Sequence, residues 1–171
     1  MRYSFTCMLF FLFVLSVAAQ ENKLAMDEKF GFREVKLETK LSKFTGLQLT
    51  LKEDKLRHFR KKNENLKLGE YKLKDITYVF DDSTLCGIII RTEGATNSDG
   101  LLQILQEKYD HGSQPNEFME EYLWESDKVM IKYMKNSVTG DAAMLMQTRA
   151  SVEKLEKAKQ DNNSKAAQSA F

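Results

Sequence analysis

Small folds often lean on cysteine, histidine, glycine-rich loops or proline, and this chain has little of any of them. Its 171 residues include two cysteines, two histidines and one proline. Cys7 lies in the expected N-terminal leader, just before its apolar stretch, so cleavage would leave Cys86 without a partner for an intramolecular bridge. The fold must therefore stand on its core, even in an oxidising compartment. His58 and His111 are isolated from each other and from further ligand types, so zinc spacing is absent and no metal site is expected. A Gly-rich phosphate loop, a Gly-x-Ser-x-Gly elbow and a calcium loop are also missing, and no cofactor is expected. Nor is there an excess of one charge: Lys plus Arg is 26 and Asp plus Glu is 25. That balance argues against a nucleic-acid partner, which selects a basic surplus.

What is present begins with a leader. Arg2 supplies a positive start, Met8 to Leu15 is wholly apolar, and Ser16-Val17-Ala18-Ala19 offers small residues for a signal peptidase. Residues 1–19 thus read as a signal peptide cut between Ala19 and Gln20. The apolar run is too short for a spanning helix, which needs about 20 such residues. The reading predicts a secreted or periplasmic protein of about 152 residues with no transmembrane segment, a length that suits one domain.

Along that domain, strand signals dominate. Residues 20–29 read as a loose polar lead-in and 30–150 as one α+β domain. Phe32 to Val35 is a short strand, and Thr39 is an N-cap candidate for a helical turn carrying Leu41 and Phe44. Leu47–Leu51 and Leu56–Lys61 alternate as strands. A hairpin over Ile76–Ile90 closes on Asp81-Asp82-Ser83-Thr84, pairing Phe80 with Leu85, Tyr78 with Gly87 and Ile76 with Ile89. Apolar residues on both of its faces place it centrally. Leu101, Leu102, Ile104, Leu105 and Tyr109 then recur at helical spacing, with Asn97 or Ser98 as cap. A second hairpin, Met119–Met134, turns at Glu125-Ser126-Asp127-Lys128 and puts Tyr122, Trp124, Val129, Ile131 and Tyr133 on one face. A last strand, Ala142–Thr148, precedes a polar helix running from Ser151 to about Lys159 and a frayed tail to 171. Without helices between most strands, parallel crossovers are excluded. The fold expected is α+β: a single curved antiparallel sheet of hairpins, one main helix packed on one face, and a C-terminal helix.

The aromatics on the second hairpin are the leading site candidates. Tyr122, Trp124 and Tyr133, with Glu125 and Asp127 at the adjoining turn, would form a recognition platform, because Tyr and Trp dominate binding hot spots. The competing expectation is that the three rings pack beneath the main helix as core. Cys86 lies among Leu85, Ile88 and Ile89 and reads as an inert thiol; a catalytic pair would require His58 or His111 to fold next to it. No catalytic residue is assigned. The basic stretch Lys52–Lys62 reads either as an anion-binding patch or as an edge strand whose charges discourage pairing.

Taken together, Ile76 to Phe80, Leu85 to Ile90, Asn97 with Leu101-Leu102, Lys108-Tyr109, Gln114-Pro115-Asn116 and Tyr122-Leu123-Trp124 resemble a family of small exported bacterial α+β domains of unknown function. In that family a glycine follows the Lys-Tyr pair; here Asp110 stands there and glycine is delayed to 112. The resemblance implies the architecture and carries no functional residue. The function expected is a non-catalytic binding module whose partner is an envelope or extracellular protein. The alternatives are a small inhibitor or immunity-type protein acting through the 125–128 turn, and a small hydrolase using Cys86 or His58.

Overall fold

The computed structural model describes residues 23–170, so the expected leader lies outside the described residues. A short helix, α1 (23–29), leads into a two-stranded hairpin of β1 (Gly31–Phe32) and β2 (Val35–Lys36). Then come β3 (Leu47–Glu53), β4 (Leu56–Lys61), β5 (Lys67–Leu68), β6 (Tyr71–Asp81) and β7 (Thr84–Thr92). The main helix α2 (Ala95–Tyr109) precedes β8 (Glu121–Glu125), β9 (Val129–Lys135) and β10 (Ala142–Thr148), and α3 (Arg149–Ala170) ends the chain. Seven strands form one sheet in the order β3-β4-β6-β7-β10-β9-β8, with β5 added beside the start of β6. Its pairings are antiparallel throughout. The α+β class with an antiparallel sheet is what the chain adopts.

One face of the sheet carries the core. Ile76, Tyr78 and Phe80 of β6 sit opposite Ile90, Ile88 and Leu85 of β7, and Met144 and Met146 of β10 extend the layer to Ile131 and Tyr133 of β9. All are buried, as are Leu101, Leu105 and Tyr109 of α2 above them. Each such side chain contributes about 1.5–3 kcal/mol on leaving water. Phe44 and Phe59 meet Phe80 edge-on at 5.3 and 5.4 Å, and close the layer beyond the helix.

Several local expectations are corrected. Residues 23–29 are helical rather than loose, because Met26 reaches the core at 4% exposure. The single strand expected at Phe32–Val35 is a hairpin turning at Arg33, which takes φ 55°. The turn expected after Thr39 is a three-residue 3-10 helix, Leu41–Lys43, without a side-chain cap. In the first long hairpin Phe80 faces Leu85 as expected. Beyond it, however, Tyr78 faces Ile88 and Ile76 faces Ile90, because Cys86 is an extra residue in a bulge. The bulge moves Ile88 and Ile90 to the core face, as a one-residue slip must.

Helix α2 starts at Ala95, ahead of the expected Asn97 or Ser98 cap. Gly94 occupies the cap position at φ 75°, and its N–H donates to the Asp141 carboxylate at 2.9 Å. Asn97 instead bridges to β6, its Oδ1 accepting from the Lys72 N–H at 2.9 Å. Helix α3 continues past Lys159 to Ala170, with every side chain from 153 to 168 exposed. Lys52–Lys62 is not the sheet's edge: most of it forms β4, second from the edge, while β3 lies outermost.

Candidate functional site

The alternation Tyr122-Leu123-Trp124 and Val129 to Tyr133 puts these residues on one face as the sequence predicts, but the register differs by two residues. The turn expected at 125–128 would set Trp124 against Val129, whereas Glu125 pairs with Met130 and the turn closes between Ser126 and Val129. Tyr122 faces Tyr133 and Trp124 faces Ile131, all on the core side. Tyr133 is fully buried and its hydroxyl donates to the Ser98 carbonyl of α2 at 3.0 Å. Trp124 is 5% exposed, and its indole N–H donates to the Asp110 carbonyl at 2.8 Å. Tyr122 is half-buried, with its ring centroid 6.2 Å from that of Trp124 and 6.3 Å from that of Tyr133. The three rings form one cluster running beneath α2, from Tyr133 at its first turn to Trp124 at its end. Of the five candidate binding residues, Glu125 and Asp127 are exposed and Tyr122 is so in part.

Gly112 belongs to this cluster. A Cβ there would lie 2.7 Å from the Trp124 ring, so the delayed glycine serves the indole rather than the helix end. The helix end is made by Asp110 itself, at φ 65° and ψ −174°, a conformation glycine favours.

The turn after β8 is held from several sides. The Ser126 Oγ accepts from the Val129 N–H at 3.0 Å, and the Lys128 N–H donates to Asp27 at 3.0 Å. Glu125 pairs with Arg149 at the start of α3 at 2.6 Å. Asp127 therefore stands at the tip of a loop whose neighbours are fixed.

Cys86 and His58 both lie on the face away from α2, but they make no hydrogen bond to each other. The Cys86 thiol donates to the Val79 carbonyl at 3.3 Å. Burial, and next the nearby Asp81 charge, push its pKa above the ordinary thiol value, which favours the neutral thiol over the nucleophilic thiolate. His58 Nε2 and Asp81 Oδ1 are buried without a hydrogen-bond partner among the described residues. No group of three or more His, Cys, Asp or Glu side chains is placed to hold a metal among those residues.

That far face is the feature sequence reasoning undervalued. Cross-strand register puts Leu51, His58, Val79, Gly87, Gln147 and Met130 in one row across it. Ile89, Leu145, Lys132 and Leu123 form the next. Leu51 is 46% exposed, while Ile89, Leu145, Met130 and Leu123 are half-buried. The charges among them are already paired: Asp75 with Arg60 at 3.1 Å and Arg91 at 2.9 Å, and Lys132 with Glu121 at 2.7 Å. Near the β6–β7 turn the face is partly shielded by the start of α3, where Lys154 pairs with Asp81. Alternation of apolar residues on both sides of β6 and β7 was the signal that could have found it.

No helix among the described residues is long and apolar enough to cross a membrane. In comparisons with known proteins, the chain matches no family model, no curated protein and no solved structure.

Proposed function

We propose that the protein is an exported, non-catalytic binding module that docks a protein of the envelope or extracellular medium on the far face of its sheet. The observation that carries this reading is the set of apolar residues Leu51, in one row, and Ile89, Leu145 and Leu123, in the next, left partly exposed on the face of the sheet opposite the core. Contiguous apolar surface rimmed by polar groups marks interaction sites. Because Arg60, Arg91 and Lys132 are neutralised within the face, an anionic polymer or lipid gains little there, whereas an apolar protein surface gains area. Export rests on the leader. Cleavage after Ala19 would leave Met26 and the packed α1 segment on the mature chain.

Co-purification from the native host's envelope and medium tests the reading, using the mature chain and its Leu145→Glu variant as baits. Leu145 lies opposite Lys132, so glutamate gains a cation and the fold should persist, as circular dichroism would verify. A partner held by the first bait and lost from the second is the expected result. No partner, or the same partners on both, contradicts it.

A second reading, an inhibitor acting through the 125–128 turn, is favoured by the fixed neighbours of Asp127. A preformed loop loses little freedom on binding. Replacing that turn separates the two, since only the inhibitor reading requires binding to collapse.

A further inference from the structure

On the core side, α2 does not cover the sheet completely. Between its last turns and the β1–β2 hairpin lies a half-open apolar pocket of about 170 Å³, lined by Phe32, Leu68 and Ile104, with the almost fully buried Leu101, Met144 and Met146 at its base. Protein interiors hold few voids larger than a water molecule. One of about 150 Å³ lined by apolar side chains stays dry and takes up benzene. Methionine floors adapt readily to an alkyl chain, because the side chain is unbranched and has three rotatable bonds.

The mouth of the cavity is cationic. Lys29, Arg33 and Lys108 line it. Arg33 is engaged: it donates to the carbonyls of Asn65 and Lys67 at 2.5 and 2.7 Å, lies 3.7 Å from Glu64, and stacks over Phe32. Lys29 donates only to the Arg33 carbonyl, and neither it nor Lys108 has a carboxylate partner among the described residues. Lys108 is exposed at the end of α2, where the helix dipole already favours a cation. An apolar chamber behind two uncompensated ammonium groups has the chemistry of an amphiphile site.

We infer that this cavity binds a small anionic amphiphile: one carboxylate held by Lys29 and Lys108, with an alkyl or single-ring tail between α2 and β10. At about 170 Å³ the pocket is close in size to the apolar cavity of about 150 Å³ that takes up a single benzene, so the occupant is a medium-chain acid rather than a long-chain lipid. This site lies on the opposite side of the sheet from the far face, and the inference does not depend on a protein partner docking there.

The test is calorimetric titration of the protein with octanoate, with 1-octanol and octylammonium as charge controls and Lys108→Glu as the variant. Carbon-13 methyl spectra of Met144 and Met146 report where the ligand sits. The expected result is saturable binding of octanoate with both methyl signals moving. Octylammonium should bind more than about tenfold more weakly, because it meets two ammonium groups where octanoate meets opposite charge. Lys108→Glu should weaken octanoate about tenfold too and leave octanol unchanged; being exposed, that position does not endanger the fold. Absence of saturation overturns the inference. So does equal binding of octanoate and octylammonium, or binding that leaves the Met144 and Met146 methyls unmoved. If octanoate fails while Leu145→Glu still loses a partner, the amphiphile site falls and the binding-module reading stands.

Discussion

Tyr133, in the middle of β9, donates its hydroxyl hydrogen to the Ser98 carbonyl in the first turn of α2, 3.0 Å away in a fully buried setting. One phenol thus ties the sheet to the helix that covers it. Tyr133→Phe keeps the ring and removes the bond, leaving a buried carbonyl without that donor. The expected loss is about 1–2 kcal/mol, read as a lower urea midpoint with unchanged slope. An unchanged midpoint would mean that Ser98 finds another donor.

Asp110 ends α2 in a backbone conformation that essentially only glycine adopts without strain. Its side chain offsets part of that cost by accepting from the His111 N–H at 2.7 Å. Asp110→Gly is expected to raise stability by about 0.5–1 kcal/mol, visible as a higher melting temperature. A lower one would show that the side-chain bond outweighs the strain.

Gly100 presents the opposite case. In the interior of a helix, alanine is normally better than glycine by about 0.5–1 kcal/mol. Here a Cβ would fall 2.3 Å from the ring of Tyr71, so Gly100→Ala should destabilise, by about 1–3 kcal/mol. In a Tyr71→Ala background the same substitution should become neutral or favourable. A double-mutant cycle in urea checks this, and additive effects would contradict the packing account.

Alkaline pH offers a global readout. Burial is the leading cause that raises the pKa values of Cys86, Tyr78, Tyr109 and Tyr133, with Asp81 adding to it at Cys86 and Glu64 at Tyr78. In the unfolded chain these groups release protons near their ordinary values, about 8.5 for thiol and 10 for phenol. Above those values the folded state holds more protons, so stability is complete below them and falls as pH climbs toward the folded ones. Melting temperatures from pH 7 to 11 should decline, and Tyr109→Phe should flatten the decline. A flat profile in the parent protein would contradict the shifts.

How much of this was legible in the sequence depended on whether local pattern or distant partner decided the outcome. The shared face of β8 and β9 followed from alternation, and β10 from its apolar run, but the β8–β9 register was off by two residues, because alternation fixes the face and a two-residue slip leaves the face unchanged. The β6–β7 register was misplaced beyond Phe80 because a bulge at Cys86 has no composition signal. The start of α2 was misplaced because its cap is a glycine bound by Asp141, 47 residues away. Met26 gave α1 too short an apolar pattern to read. The length of α3 was missed because its exposed residues have no packing period. The half-exposed far face and the cavity under α2 depend on which surfaces remain uncovered after packing, and strand-by-strand reading does not show that.

The central claim, that the far face docks a protein, is tested most directly by site-specific photocrosslinking. Benzoylphenylalanine placed at Leu145 on the far face, and at exposed Glu156 on α3 as control, is activated in the native host and the adducts are read by mass spectrometry. The account predicts a discrete protein adduct from position 145 that is absent from 156. No adduct at 145, or the same adducts from both positions, would contradict it.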